Sequence, residues 1–142
     1  MSYRILVTGT REDVDRRSVF DVLELACLTL WEGEKIAHPE AFTLIHGDCP
    51  TGVDRIAGFW AGMKGVQVER HPAQWDVHDE RCYHRPSSRC PAAGPRRNQQ
   101  MVDLGADVCL AFPLAPPAKS RGTKDCIDRA HKAGIPVVVT EL

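Results

Sequence analysis

Four short stretches of this chain combine glycine, hydroxyl, arginine and carboxylate residues in the way that sites for phosphorylated molecules do. The first, Gly9-Thr10-Arg11, offers a backbone open to close approach, one hydroxyl and one planar cation. It also fits an ordinary tight turn with a surface arginine, so alone it decides little. The second runs from His46 through Gly47, Asp48, Cys49, Pro50, Thr51 and Gly52 to Asp54. Two glycines bracket a loop that opens a helical pattern, whose free N–H groups and positive dipole end attract anions. It lacks the terminal lysine and hydroxyl residue of a Walker A loop. Thr51 and Asp54 also fit a capping box, a structural alternative for Asp54 to a role beside sugar hydroxyls. Asp48 and Asp54 are the candidate acids or bases.

The third stretch is Gly94-Pro95-Arg96-Arg97-Asn98. Two arginines in a first helical turn oppose the dipole, which favours acidic residues there, so an anion nearby is expected. Arg97 and Asn98 are read as the ligand-facing pair and Arg96 as a solvated surface charge. The fourth, Ser120-Arg121-Gly122-Thr123, presents two hydroxyls and backbone N–H groups at another helix start, with Ser120 or Thr123 as its cap. A separate group, His78, Cys82, His84 and Cys90, falls in an aperiodic insertion at about 74–93. Four such ligands are able to hold a structural zinc ion. The Cys-x-His spacing lacks a paired Cys-x-x-Cys knuckle, and a loop with unrelated His and Cys competes with that reading. No other cofactor is required.

The elements that must position these stretches are legible as alternating patterns. Tyr3–Thr8, Phe42–His46, Val66–Arg70, Asp107–Phe112 and Pro136–Val139 are short, β-branched or apolar runs that read as strands. Between them lie helical stripes: one from Asp13 as N-cap to Gly33, one after Gly52, one restarting at Gly94-Pro95, and one from Gly122 to about Gly134. Five strands and four helices in alternation predict a single α/β domain over 1–142, with a mostly parallel five-stranded sheet and helices on both faces. In such sheets ligands bind beyond the carboxyl ends of the strands, which here means the loops after Thr8, His46 and Phe112.

The combination Gly9-Thr10-Arg11, His46-Gly47-Asp48-x-x-Thr51-Gly52-x-Asp54, Gly94-Pro95-x-Arg97-Asn98 and Gly122-Thr123 resembles the YspA-type branch of the SLOG superfamily, which also includes DprA and the "lonely guy" proteins. The resemblance covers nearly the whole chain in order. It implies a Rossmann-like three-layer α/β/α sandwich with a pocket for nucleotides or nucleotide-derived ligands. It also implies either sensing of the ligand or hydrolysis of an N-glycosidic bond. The hydrolytic branch resembles a Pro-Gly-Gly-x-Gly-Thr-x-x-Glu signature, and the glutamate position here is Cys126. Asp125 is adjacent, but one residue along a helix turns the side chain by about 100°. The reading is therefore a sensor or regulatory module for a nucleotide-type ligand. The alternative is a phosphoribohydrolase-like enzyme with a non-standard catalytic carboxylate.

Composition narrows the partners. With 142 residues, 43% hydrophobic and 26% charged, the chain has the make-up of one globular domain. A net charge of −1 supplies no basic field for nucleic acid, so DNA binding by analogy with DprA is disfavoured. No apolar run reaches membrane-span length and no secretory core opens the chain, so a cytoplasmic location is expected. Most of the six cysteines fall in predicted core elements and read as small hydrophobes rather than disulfide partners. A homodimer or larger assembly is expected from the resemblance alone.

Overall fold

The computed structural model describes residues 2–31, 38–78, 89–115 and 120–142. Its first strand, β1 (Tyr3–Gly9), has Ile5, Leu6 and Val7 fully buried in succession. Such a continuous apolar run suits a strand covered on both faces. Side chains alternate across it. Ile5 and Val7 join one core cluster with Val19, Leu23, Phe42, Trp60 and Phe112, while Leu6 joins a second with Ile45, Met101, Cys109, Cys126 and Ala130.

After β1 come α1 (Arg16–Trp31), β2 (Phe42–His46), α2 (Gly52–Lys64), β3 (Gln67–Arg70), α3 (Ala93–Leu104), β4 (Val108–Phe112), α4 (Arg121–Lys132) and β5 (Val137–Val139). A 3-10 turn at Pro39–Ala41 precedes β2. The sheet order is β3-β2-β1-β4-β5 and every pairing is parallel. The expected mostly parallel sheet is thus wholly so. Helices α1 and α2 pack together on one face, and α3 and α4 on the other. This is the three-layer Rossmann-like sandwich. Strand order reverses between β1 and β4, which opens a crevice at their carboxyl ends. Among the described residues no helix is long and apolar enough to cross a membrane.

Element boundaries shift for local reasons. Helix α1 begins at Arg16 rather than near Asp13, because Asp15 is the capping carboxylate: its Oδ1 accepts the Arg17 N–H at 3.0 Å. Gly33, expected to end that helix, lies outside the described residues. Cys27, Cys90, Cys109 and Cys126 are buried free thiols, whereas Cys49 is partly exposed.

Gly9, at the end of β1, is set by packing. A Cβ there would lie 2.6–2.8 Å from the Val53 side chain in the first turn of α2. Gly9 therefore permits the close approach of a helix, in addition to lying where a ligand was expected. Gly9→Ala is expected to destabilise the protein by about 1–3 kcal/mol through overpacking. In a Val53→Ala background the same change should cost less than half as much. Urea unfolding of the two singles and the double measures this coupling.

Candidate functional site

The crevice between β1 and β4 holds a cavity of about 240 Å³, lined by the end of β1, the loops after β1 and β2, and three helices, α2, α3 and α4. Thr8 and Met101 line it from the end of β1 and from α3; Gly9, Thr10, Arg11 and Glu12 come from the loop after β1. Gly47 and Cys49 follow β2, and Asp54 sits in the first turn of α2. Helix α3 starts at Ala93, so Arg97 and Asn98 fall in its second turn rather than in the first turn expected from Gly94-Pro95. Ser120, Gly122 and Thr123 complete it from the start of α4.

Arg97 holds these pieces in register. Its Nη1 donates to the Gly47 carbonyl at 2.6 Å and to the His71 carbonyl at 3.3 Å, and its Nε donates to Asn98 Oδ1 at 3.0 Å. One guanidinium therefore joins the loop after β2, the chain leaving β3, and α3. Glycine at position 47 leaves room for this arrangement, because a Cβ there would displace the guanidinium. Asn98, almost fully buried, passes the linkage on by donating to the Gly122 carbonyl at 3.3 Å and to Asp125 Oδ2 at 3.0 Å.

The loops after β1 and β2 are also tied directly. Val53 N–H donates to the Thr10 carbonyl at 3.0 Å, and Thr51 Oγ1 donates to the Arg11 carbonyl at 2.7 Å. Gly52 adopts φ +72°, and a Cβ there would strike the Thr10 carbonyl oxygen. Its glycine therefore serves the contact between the two loops. Asp48 takes φ 56°, a left-handed turn held by its N–H donating to His46 Nδ1 at 2.9 Å. Burial pulls the His46 pKa down, so the ring is neutral at pH 7 with its proton on Nε2.

Asp54 is the buried charge of the site. Its Oδ2 accepts the Cys49 N–H at 3.2 Å and the carboxylate also binds the Gly47 backbone, while Thr51 makes no side-chain cap. The capping box anticipated from Thr51 and Asp54 therefore does not form. The carboxylate turns inward to brace the loop after β2, and Thr51 reaches across to Arg11. Burial raises the Asp54 pKa from 3.8 to about 6, against the pull of the Cys49 amide, Arg97 and Arg11. Burial draws Arg97 below its ordinary value, and Asp54 opposes that shift.

The site residues expected from sequence divide between the cavity and its frame. Gly9, Thr10, Arg11, Gly47, Asp54, Arg97, Asn98, Ser120, Gly122 and Thr123 line the cavity. His46, Asp48 and Gly52 do not: His46 is buried behind the loop, and Asp48 is exposed with its carboxylate 3.7 Å from Arg70. Arg96 is a half-buried strut rather than a solvated charge, donating to the Val77 carbonyl at 2.7 Å and to Cys90 Sγ at 3.6 Å. Ser120 is N-cap in position only, since its hydroxyl accepts the Leu114 N–H at 2.8 Å and so secures the loop after β4. Cys126 is fully buried in the core, hydrogen-bonded to Cys109 and the Thr8 hydroxyl. Its partner Cys126, together with burial, pushes the Cys109 thiol above its usual range. Asp125 is held by Arg129 at 2.9 Å. Of the candidate zinc ligands, Cys82 and His84 lie outside the described residues. Val7, Thr8, Glu12, Cys49 and Met101 line the cavity without having been expected as site residues; all but Met101 flank or fall within a named motif, and Met101 had no signal.

Asp54 gives the site a defined pH response. Its folded pKa of about 6 stands above the unfolded value near 3.8, so the native state binds the proton more tightly. Its contribution to stability is fully present below pH 3.8 and is lost as pH rises through about 6. The difference in unfolding free energy between wild type and Asp54→Asn should shift by up to about 3 kcal/mol across that interval, in favour of the variant as pH rises. Urea unfolding at a series of pH values measures it; a constant difference would contradict the burial argument.

The chain is similar to known proteins at the level of sequence. A family model described as YspA, cpYpsA-related SLOG family matches residues 3–78, which contain β1 to β3, the loops after β1 and β2, and Asp54. The Gene 61 protein of Mycobacterium phage D29 is 39% identical over 140 residues, covering 95% of this chain and 94% of the relative. No solved structure matches. From the matched loops and the length of the shared sequence, the chain belongs to the YspA, cpYpsA-related SLOG family.

Proposed function

We propose that this protein binds a nucleotide or nucleotide-derived phosphorylated molecule in the cavity between β1 and β4 and acts as a sensor or regulatory module. Membership of the family indicates a nucleotide-related function. The observation that carries the reading is that two arginines, a helix start without a side-chain cap and one buried carboxylate share a single cavity. The α4 N-terminus points N–H groups and the positive dipole end toward it, which favours a phosphate. At Gly122 a Cβ would meet nothing within 4 Å, leaving the backbone open to a ligand. Arg11 and Arg97 supply cations, whereas Asp54 would repel a phosphate and instead accepts hydrogen bonds from ribose hydroxyls. With a net charge of −1, a small molecule is a better partner than nucleic acid.

A hydrolytic reading has one observation in its favour. Asp54 has a pKa of about 6, so a carboxylate on the cavity wall can exchange a proton near neutral pH. In that chemistry water adds across the N-glycosidic bond and the base departs protonated. The sensor reading is preferred because the family's glutamate position holds Cys126, fully buried in the core, and Asp125 is engaged by Arg129 and Asn98.

Thermal unfolding with nucleoside mono-, di- and cyclic phosphates, followed by chromatography of the recovered ligand, separates the two. A ligand present at a hundredfold its Kd should stabilise the fold by about 2.7 kcal/mol and be recovered intact. Gly122→Leu should lose that stabilisation with the ligand-free stability unchanged within about 1 kcal/mol. Release of free base, lost in Asp54→Asn, would establish the hydrolase instead. Neither stabilisation nor release across the panel would contradict both.

A further inference from the structure

Beside the 240 Å³ cavity lies a second, wider chamber of about 580 Å³, and Arg11, Arg97, Asn98 and Gly122 line both. Small-molecule sites run from about 300 to 1,000 Å³, so a ligand of nucleotide size extends from the deep chamber into the outer one. At Gly122, which both chambers share, a Cβ would meet nothing within 4 Å, so the space beside its backbone is open. The Thr123 hydroxyl lines the deep chamber at 4% exposure and has no hydrogen-bond partner among the described residues.

The two chambers differ in charge. In the deep one Arg11 and Arg97 face Asp54 and Glu12, which offset them. In the outer one Arg11 and Arg97 are joined by Arg121, and the carboxylate present, Asp125, is bound by Arg129 at 2.9 Å and Asn98 at 3.0 Å. Arg121 is exposed and makes no ion pair among the described residues. The cationic excess therefore lies outside, at the start of α4. Trp75 forms a wall of this chamber and places a cation on it: the Arg11 guanidinium lies 5.2 Å from the centre of its ring, with Arg89 at 4.3 Å. Trp75 itself is fixed by its carbonyl, which accepts the Cys90 N–H at 2.7 Å.

We propose that the outer chamber is an anion subsite for the terminal phosphate of a nucleoside diphosphate, contacted by Arg121 and Arg11, with Trp75 as the residue that positions Arg11. The first phosphate lies at Gly122 where the chambers meet, and the hydroxylated sugar lies in the deep chamber against Asp54 and Thr123. This assignment rests on the nucleotide reading above and adds to it a preference for two phosphates over one.

Calorimetric titration of the full chain with the mono- and diphosphates of adenosine, guanosine, cytidine and uridine tests it. For whichever base binds, the diphosphate should bind about tenfold more tightly than the monophosphate, as expected for an added charge-assisted contact. Arg121→Ala should remove that preference, weakening the diphosphate about tenfold and the monophosphate less than about twofold. Trp75→Leu should reduce the preference and Trp75→Phe should retain it, an outcome that a purely structural wall would not give. Equal binding of mono- and diphosphate to wild type, or equal loss of both in Arg121→Ala, overturns the outer subsite. If monophosphate binding still disappears in Gly122→Leu, the nucleotide reading survives that result. Failure of every nucleotide to bind wild type overturns both.

Discussion

The site depends on one buried cation. Arg97 spends its hydrogen bonds on two backbone carbonyls and the neighbouring Asn98, and through them it fixes the loop after β2, the chain beyond β3 and the start of α4. A planar guanidinium with several donors can bridge carbonyls in this way, and a lysine cannot reproduce the geometry. Gly47 leaves room for it, and Asp54 supplies a compensating negative charge across the cavity. The arginine that sequence reasoning assigned to a ligand is therefore also part of the frame that gives the cavity its shape.

Burial of Asp54 follows from the same arrangement. The loop after β2 turns its Gly47 and Cys49 amides toward a carboxylate, and those hydrogen bonds together with two arginines keep an otherwise unfavourable charge inside. Because it is held by backbone groups, the carboxylate marks a region of the cavity unsuited to phosphate. Cationic groups gather instead around Gly122 and the outer chamber. A polarity gradient thus runs from the sheet edge outward, from hydroxyl- and carboxylate-lined to arginine-lined. A ligand with a sugar at one end and phosphate at the other matches it.

Much of this was legible in the sequence. Strand and helix periodicity located every element of the sheet, and the loops after Thr8, His46 and Phe112 are those that meet at the crevice. Local pattern failed where the deciding neighbour was distant in the chain. Gly9 is small because Val53 packs on it, and Gly52 because Thr10 does. The Thr51–Asp54 pair matched a capping box by spacing, yet tertiary contacts drew the two side chains apart, one to Arg11 and the other to Cys49. Asp48 looked equivalent to Asp54, but Asp48 sits exposed on a left-handed turn, whereas Asp54 is buried in the first turn of α2. Arg96 and Arg97 are consecutive, but on a helix they diverge by about 100°, so one meets Val77 and the other Gly47.

The most direct test of the central claim is to follow backbone amide resonances of the isotopically labelled protein while a binding nucleotide is titrated in. The account predicts that the largest shifts fall on Thr10, Arg11, Gly47, Cys49, Gly122 and Thr123, the backbone that surrounds the crevice. Shifts centred instead on the exposed side of α1 and α2, around Leu25 and Phe59, or the absence of any localised response, would contradict it.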